Sequence, residues 1–144
     1  MKDHLRDYST SAYRFFAKVG GRETYLKKLI SDLERPKRGS GICNPTESVL
    51  INAEKIIESR QAEFDDIEAV NKTLQLLELC QNGHYIRQAI ELVYFKDCWK
   101  DLEKGDIENR VHNAETRIPA SRRQIYYWLK KARESFAEER GLRV

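Results

Sequence analysis

The sequence predicts an all-α protein. Only three prolines and seven glycines occur in 144 residues, β-branched runs are few, and apolar residues recur at helical spacing almost throughout. Apolar residues make up 40% of the chain, which argues against disorder. The length allows one compact unit or two very small ones, and a chain of this size buries roughly 70% of its unfolded surface. We therefore expect a helical bundle with a substantial core.

One helix is predicted on each side of Gly20-Gly21. The first runs from Tyr8 to about Lys18 and the second from Glu23 to Glu34. The inward side chains are expected to be Tyr13, Phe16 and Ala17 in the first helix, and Leu26, Leu29, Ile30 and Leu33 in the second. A linker is predicted at about residues 35–43, because Arg35-Pro-Lys-Arg-Gly-Ser-Gly41 combines Pro, Gly and Ser.

Asn44-Pro45 predicts a helix start, since Asn can accept from first-turn N–H groups and Pro is tolerated at the first helical position. This helix should end near Arg60. A further helix is expected from about Ala62 to Cys80. Its apolar residues are Phe64, Ile67, Val70, Leu74 and Leu77, and their spacing is close to that of a heptad seam. Burial of the seam inside its own subunit is the favoured interpretation, and a homodimer seam is the alternative.

Tyr85 to Phe95 predicts a strongly apolar core helix with Ile86, Ala89, Ile90 and Val93 inward. Beyond it, residues 105–144 predict a helix, a tight turn and a longer helix, set apart from a helical body at 1–104. Asp106 is the expected N-cap of the first of these helices, and Pro119 ends it near Ile118. Ser121-Arg-Arg-Gln124 forms a capping box for the second helix. Gly141 should close that helix after Arg140.

Charge is unevenly distributed along the chain. The net charge is only +3, but residues 1–42 carry ten basic and five acidic side chains, residues 43–104 seven and twelve, and residues 105–144 nine and six. From Arg117 to Arg133 six basic residues occur with no acid. This window is the strongest local bias in the sequence and favours a polyanionic partner, although a solvated basic helix surface would look the same.

The last helix combines an apolar face with a basic and aromatic one. At 100° per residue, the apolar residues cluster within about 60° of their mean direction. They are Ile125, Trp128, Leu129, Ala132 and Phe136. Arg123, Tyr127 and Lys130 lie on the far side, and Arg122, Tyr126 and Arg133 on one flank. A helix anchored in this way, with Arg and Gln in its first turns, has the side chains that read guanine and adenine in the major groove of DNA.

The stretch from Ile118 to Phe136 resembles the helix-turn-helix of phage transcriptional regulators of the ArpU/RinA kind, and more distantly the C-terminal domain of bacterial sigma factors. Ser121, Ile125, Ala132 and Phe136 match that pattern, while Glu115 departs from it in the preceding helix. The resemblance covers about residues 105–144 and implies sequence-specific binding of double-stranded DNA.

The site residues carried over by this resemblance fall into two groups. Those implied to approach the groove are Arg122, Arg123, Gln124, Tyr126 and Tyr127, behind the cap residue Ser121. Those implied to contact phosphates are Arg117, Lys130, Lys131 and Arg133. Trp128 is expected in the core rather than on a base.

Catalysis is not predicted. The acid pairs Asp65-Asp66 and Glu138-Glu139 point about 100° apart on a helix, and His4, His84 and His112 are isolated in sequence. Tyr127 beside arginines does not by itself make a recombinase site. We expect no cofactor and no metal, since the three cysteines, Cys43, Cys80 and Cys98, form no ligand motif.

The sequence also predicts no membrane partner and a cytoplasmic location, because no apolar run approaches the ~20 residues of a membrane span. Three functional hypotheses remain. The leading one is a phage or prophage transcriptional regulator. The alternatives are a small terminase-type phage packaging protein that binds DNA as a ring, and a helical adaptor for RNA polymerase whose acidic middle segment docks a basic partner.

Overall fold

The computed structural model describes residues 4–33 and 54–142. Helices dominate these two ranges, and no strand occurs within them. The predicted all-α class is therefore confirmed. The predicted linker at about 35–43 and the helix start at Asn44-Pro45 lie outside the described residues.

Within residues 4–33 and 54–78, the structure has three helices and a short helical segment before the third. Helix α1 spans His4–Val19 and α2 spans Arg22–Leu33. Residues 54–59 are helical, which confirms that the helix before Gln61 ends near Arg60. Helix α3 spans Gln61–Glu78, close to the predicted bounds.

The C-terminal half contains α4 (Gly83–Ile90), α5 (Asp106–Arg117) and α6 (Arg122–Arg140). The helix predicted from Tyr85 to Phe95 is confirmed, and its last part, Glu91–Phe95, is a π-helical turn that continues α4. The predicted core positions on this segment are confirmed, since Ile86, Ala89, Ile90 and Val93 are all buried.

One main core joins α1, α3, α4, the π turn, α5 and α6. Helix α6 is its central element, because it packs most extensively on α3 and also contacts α1, α4 and α5. The Tyr13 hydroxyl of α1 donates to the Ala132 carbonyl of α6 at 2.7 Å, and the Tyr13 ring lies against Tyr94 and Phe136. The C-terminal helices thus share a hydrophobic core with the N-terminal body, while their division into a separate functional module stays a prediction.

A second, smaller cluster packs α2 and residues 54–59 against the start of α3. Its buried members are Tyr25, Phe64 and Ile67. Leu26 and Leu29 pack against it as predicted, but Tyr25 is the most deeply buried of residues 22–32. The expected inward residues of α2 were Leu26, Leu29, Ile30 and Leu33. The structure adds Tyr25, whose ring meets Phe15 and Phe64.

The heptad-like seam of α3 is buried within the chain. Phe64, Ile67, Val70, Leu74 and Leu77 are each at most 3% exposed. These side chains fill the two cores of the same molecule, so the favoured interpretation of the seam, packing inside its own subunit, is confirmed.

Arg14 clamps the end of the π turn to α1. Its guanidinium donates to the carbonyls of Tyr94 at 3.1 Å, Lys96 at 3.3 Å and Asp97 at 2.8 Å, and to that of Lys100. These carbonyls lie where the helix has ended and lack regular helical partners. Burial lowers the pKa of Arg14 from its ordinary value, with Arg110 adding to the effect. Arg110 itself donates to the Val93 carbonyl at 2.9 Å.

The predicted N-cap at Asp106 is wrong by one position. Gly105 occupies the cap with φ 90° and ψ −9°, and Asp106 is the first helical residue. The Asp106 carboxylate instead accepts from the backbone N–H of Glu103 at 2.8 Å, so it stabilises the preceding turn. The positive φ at residue 105 favours glycine there, and this places Asp106 inside the helix.

Helix α6 ends as predicted at Gly141, which has φ 72°. The Leu142 N–H donates to the Ala137 carbonyl at 2.8 Å and the Gly141 N–H to the Glu138 carbonyl at 3.1 Å. This bonding pattern satisfies carbonyls that the last helical turn leaves free. No helix within residues 4–33 and 54–142 is long and apolar enough to cross a membrane.

Candidate nucleic-acid interface

The start of α6 is fixed by the four residues that join it to α5. Ile118 is extended, with φ −120° and ψ 138°, as the following proline requires, and its side chain is buried. Ser121 has φ −75° and ψ 161°, and its Oγ accepts from the Gln124 N–H at 3.2 Å. The predicted Ser121 cap is therefore confirmed, and the helix begins at Arg122.

The apolar face of α6 is anchored in the main core. Ile125, Leu129, Ala132 and Phe136 are fully buried, and Trp128 is 5% exposed. Trp128 is thus a core residue, as predicted, and its ring is not available for stacking on a base. Anchoring on this face leaves the opposite face of the first two turns directed to solvent.

That exposed face carries four of the predicted site residues, namely Arg123, Gln124, Tyr127 and Lys130. Tyr127 is 60% exposed and Tyr126, beside it, 38%. Arg123, and Arg117 just before the turn, are exposed and form no ion pair or hydrogen bond through their side chains with any described residue. Lys130 lies 3.9 Å from the Glu134 carboxylate one turn later. This face, here called the α6 outer face, combines two cationic side chains with an amide and a phenol.

Arg122 is held by the preceding helix. Its Nε donates to the Glu115 carboxylate at 2.9 Å, and its Nη2 lies 3.1 Å from His112 Nδ1. Both partners belong to α5. Because Arg122 is bonded at the junction of α5 and α6, it does not extend freely from the outer face.

Two residues that were predicted to contact phosphates, Arg133 and Lys131, also have intramolecular partners. Arg133 donates to the Tyr94 hydroxyl at 2.9 Å, and the Lys131 ammonium lies 3.9 Å from Cys80 Sγ. Both side chains are only half-exposed. The sequence-predicted set is therefore divided into two groups. In the outer group only Lys130 has an intramolecular ion pair among described residues, whereas the flanking residues Arg122, Lys131 and Arg133 each have a partner on another element.

A groove that the sequence did not predict runs beside this flank. It encloses about 940 Å³ and is walled by α1, residues 98–105 and α6. Tyr126 and Arg133 line it on the α6 side, and Thr10, Ser11 and Lys18 on the α1 side. The four-residue spacing of Arg6, Thr10, Arg14 and Lys18 is the sequence feature that could have revealed this polar α1 face.

The acid pairs do not converge, as the sequence predicted. Asp66 accepts from the Tyr8 hydroxyl at 2.8 Å and from Arg140 Nε at 2.6 Å, whereas Asp65 accepts from Gln61 at 2.8 Å. The bond to Asp66 raises the pKa of Arg140, and burial raises the pKa of Tyr8. Through these bonds the side chains of Tyr8, Asp66 and Arg140 join α1, α3 and α6, which is a structural role.

Comparison of the chain with family models, curated proteins and solved structures found no match.

Proposed function

We propose that this protein binds double-stranded DNA sequence-specifically by placing α6 in the major groove, and that it acts as a phage or prophage transcriptional regulator in the cytoplasm. The observation that carries the proposal is the α6 outer face. It presents Arg123 without an intramolecular partner among described residues, beside Gln124, Tyr127 and Lys130, on a helix whose opposite face is fixed in the core.

The chemistry of this face matches base reading. An arginine can bond guanine through O6 and N7, and a glutamine can bond adenine through N6 and N7. A major groove about 12 Å wide admits one helix. The exposed start of α6 would bring its free backbone N–H groups and the positive end of its dipole toward the phosphates.

The charge around this face supports the same partner. Residues 117–133 contain no acid, so nothing on the first turns of α6 repels a polyanion. Glu115 is the acid of α5 closest in sequence to α6, and it forms an ion pair with Arg122 at 2.9 Å. The resemblance of residues 105–144 to regulators of the ArpU/RinA kind adds the transcriptional role to this proposal.

Selection of bound sequences from a random DNA pool, using the full chain, tests the proposal directly. We expect an enriched consensus, and a palindromic one with half-sites about 10 bp or a multiple apart would show a dimer on DNA. Absence of any consensus, together with retention of RNA polymerase in a pull-down, would favour the adaptor hypothesis instead. Light scattering on the same sample would identify a packaging-type ring.

Point substitutions on the outer face are the appropriate variants for the follow-up. Deleting residues 105–144 would remove Ile125, Leu129 and Phe136 from the main core, so loss of binding by that deletion would report unfolding. Arg123→Ala changes only an exposed side chain and leaves the buried face of α6 intact.

A further inference from the structure

Cationic and acidic side chains both line the groove beside α6, and the cationic ones are more numerous. Its cationic side chains are Arg6, Arg14, Lys18, Lys100, Lys104 and Arg133, and its acidic ones are Asp7, Asp101, Glu103 and Glu108. Arg14 is committed to backbone carbonyls, whereas Lys18, Lys100 and Lys104 are exposed at the rim. The hydroxyls of Thr10 and Ser11 add neutral hydrogen-bonding groups to the α1 wall.

This groove is continuous with the α6 outer face. Around the axis of α6, Tyr126 lies between Leu129, which lines the groove floor, and the outer residues Arg123 and Lys130. The α6 outer face therefore adjoins the groove across the partly exposed Tyr126 ring. On the other side of this ring, the groove is lined by Lys18, Lys100 and Lys104.

The geometry of a duplex places a phosphate strand on this side of the helix. A helix seated in the major groove has one sugar–phosphate backbone along each flank. The strand on the Tyr126 flank would face α1 and residues 98–105. Lysines and hydroxyls are the groups that proteins commonly use to contact phosphate oxygens.

We propose that the rim of this groove, through Lys18, Lys100 and Lys104, binds the sugar–phosphate backbone of the same duplex that α6 reads. The inference rests on the proposed function and deepens it, because it assigns a second contact surface outside residues 105–144. It also gives a role to part of the basic N-terminal segment, since Lys18 lies within residues 1–42 and lines the same groove as Tyr126 of α6.

The test is the salt dependence of DNA binding by the full chain. The double variant Lys18→Ala/Lys104→Ala should make the slope of log K against log salt less negative by about 1.8, because each neutralised phosphate contributes about −0.9. Its affinity deficit relative to the wild type should then widen roughly tenfold between 200 and 50 mM salt. The deficit should be the same for the selected and for unrelated sequences.

A matched control is available in α2. The double variant Lys27→Ala/Lys28→Ala removes the same number of positive charges, both from the basic segment 1–42. Neither residue lines the groove, so its slope should stay within about 0.5 of the wild type. Asp101→Asn removes a carboxylate from the groove and should tighten binding roughly twofold at 50 mM salt, since a like charge near the phosphates is lost. A gain of affinity cannot result from misfolding.

The outcomes separate this inference from the proposed function. If Arg123→Ala weakens sequence-specific binding while the Lys18/Lys104 variant keeps the wild-type slope, the groove inference is wrong and the function stands. If the α2 control loses as much as the groove variant, overall charge is responsible and the inference is again wrong. If the wild type binds no duplex at 50 mM salt, both proposals fail.

Discussion

The Arg122 guanidinium donates to the Glu115 carboxylate across the junction between α5 and α6, at 2.9 Å. His112 of α5 lies 3.1 Å from the same guanidinium. Arg122, the first residue of α6, is thereby bonded to the preceding helix. Its positive charge, which the sequence predicted to contact DNA, is partly neutralised by Glu115. Arg122 is better described as a junction residue, with Arg123 as the free cation next to it.

Breaking this pair should strengthen DNA binding. We expect Glu115→Gln to raise the affinity for all sequences severalfold at about 50 mM salt, because a negative charge disappears and Arg122 becomes available to a phosphate. The pair is partly exposed, with side chains 49% and 27% accessible, so the free energy of unfolding should fall by less than about 1 kcal/mol. Fluorescence anisotropy and urea titration measure the two effects. Glu91→Gln, which breaks an exposed pair with Arg87, is the control and should leave the DNA affinity unchanged.

Arg123 and Lys130 should differ in how they contribute to binding. Arg123→Ala should cost ~1–3 kcal/mol on the preferred site and relax the preference at one base position, since a bidentate contact is lost. Lys130→Ala should weaken all sequences alike and reduce the salt slope by about 0.9. Binding measured against a panel of single-base variants of the selected site distinguishes the two patterns. Equal losses on every variant site for Arg123→Ala would show that this residue does not read a base.

Phe136 should be critical for stability because its buried ring meets both Tyr8 and Tyr13. Phe136→Ala should lower the free energy of unfolding by roughly 3–5 kcal/mol, from lost transfer energy and the cavity left behind. Chemical denaturation followed by circular dichroism measures this change. Leu79→Ala, at a residue that is 85% exposed, is the comparison and should change stability by no more than about 0.5 kcal/mol. Similar losses for the two variants would contradict the packing described for α6.

Tyr13 should make the stability sensitive to alkaline pH. Burial raises the pKa of Tyr13 above its ordinary value of 10.0, so the folded protein keeps the phenolic proton at pH values where the unfolded chain has lost it. Its contribution is complete below pH 10 and is lost as the pH rises beyond that value. Tyr13→Phe should therefore flatten the decline of stability above about pH 10, while costing about 1 kcal/mol at neutral pH through the lost bond to Ala132.

The comparison for Tyr13 is Tyr127→Phe, at a ring that is 60% exposed. This variant should keep both the neutral-pH stability and the alkaline decline of the wild type. Unfolding curves recorded at pH 7, 9 and 11 for the three proteins supply the measurement. A decline in Tyr13→Phe as steep as that in the wild type would assign the alkaline sensitivity to other groups.

Much of the fold was predictable from local pattern. The spacing of apolar residues predicted the seam of α3, the core face of α6 and the core positions of α4, because burial follows helical periodicity. Ser121 and Gly141 predicted the limits of α6, since caps depend on residues within one turn. The π turn at Glu91–Phe95 was not predictable in this way, because Arg14 and Arg110 stabilise it from distant positions.

The candidate site was predictable only in part for the same reason. Helical phase correctly separated Arg123, Tyr127 and Lys130 from the core, and it correctly buried Trp128. It could not show that Arg122 pairs with Glu115 or that Arg133 bonds Tyr94, since those partners come from other helices. The groove between α1 and α6 depends on residues more than 100 positions apart, which no local pattern connects.

The bond from Tyr13 to Ala132 joins residues that are 119 positions apart. Contacts of such long range form late in folding, because a large loop must close before they can stabilise the chain. Synthesis proceeds from the N-terminus, so the contacts of Tyr13 with Ala132 and Phe136 cannot form until most of α6 has left the ribosome. The helix proposed to read DNA is thus also the last piece of the main core, so an incompletely synthesised chain should lack both the reading surface and the stability to persist.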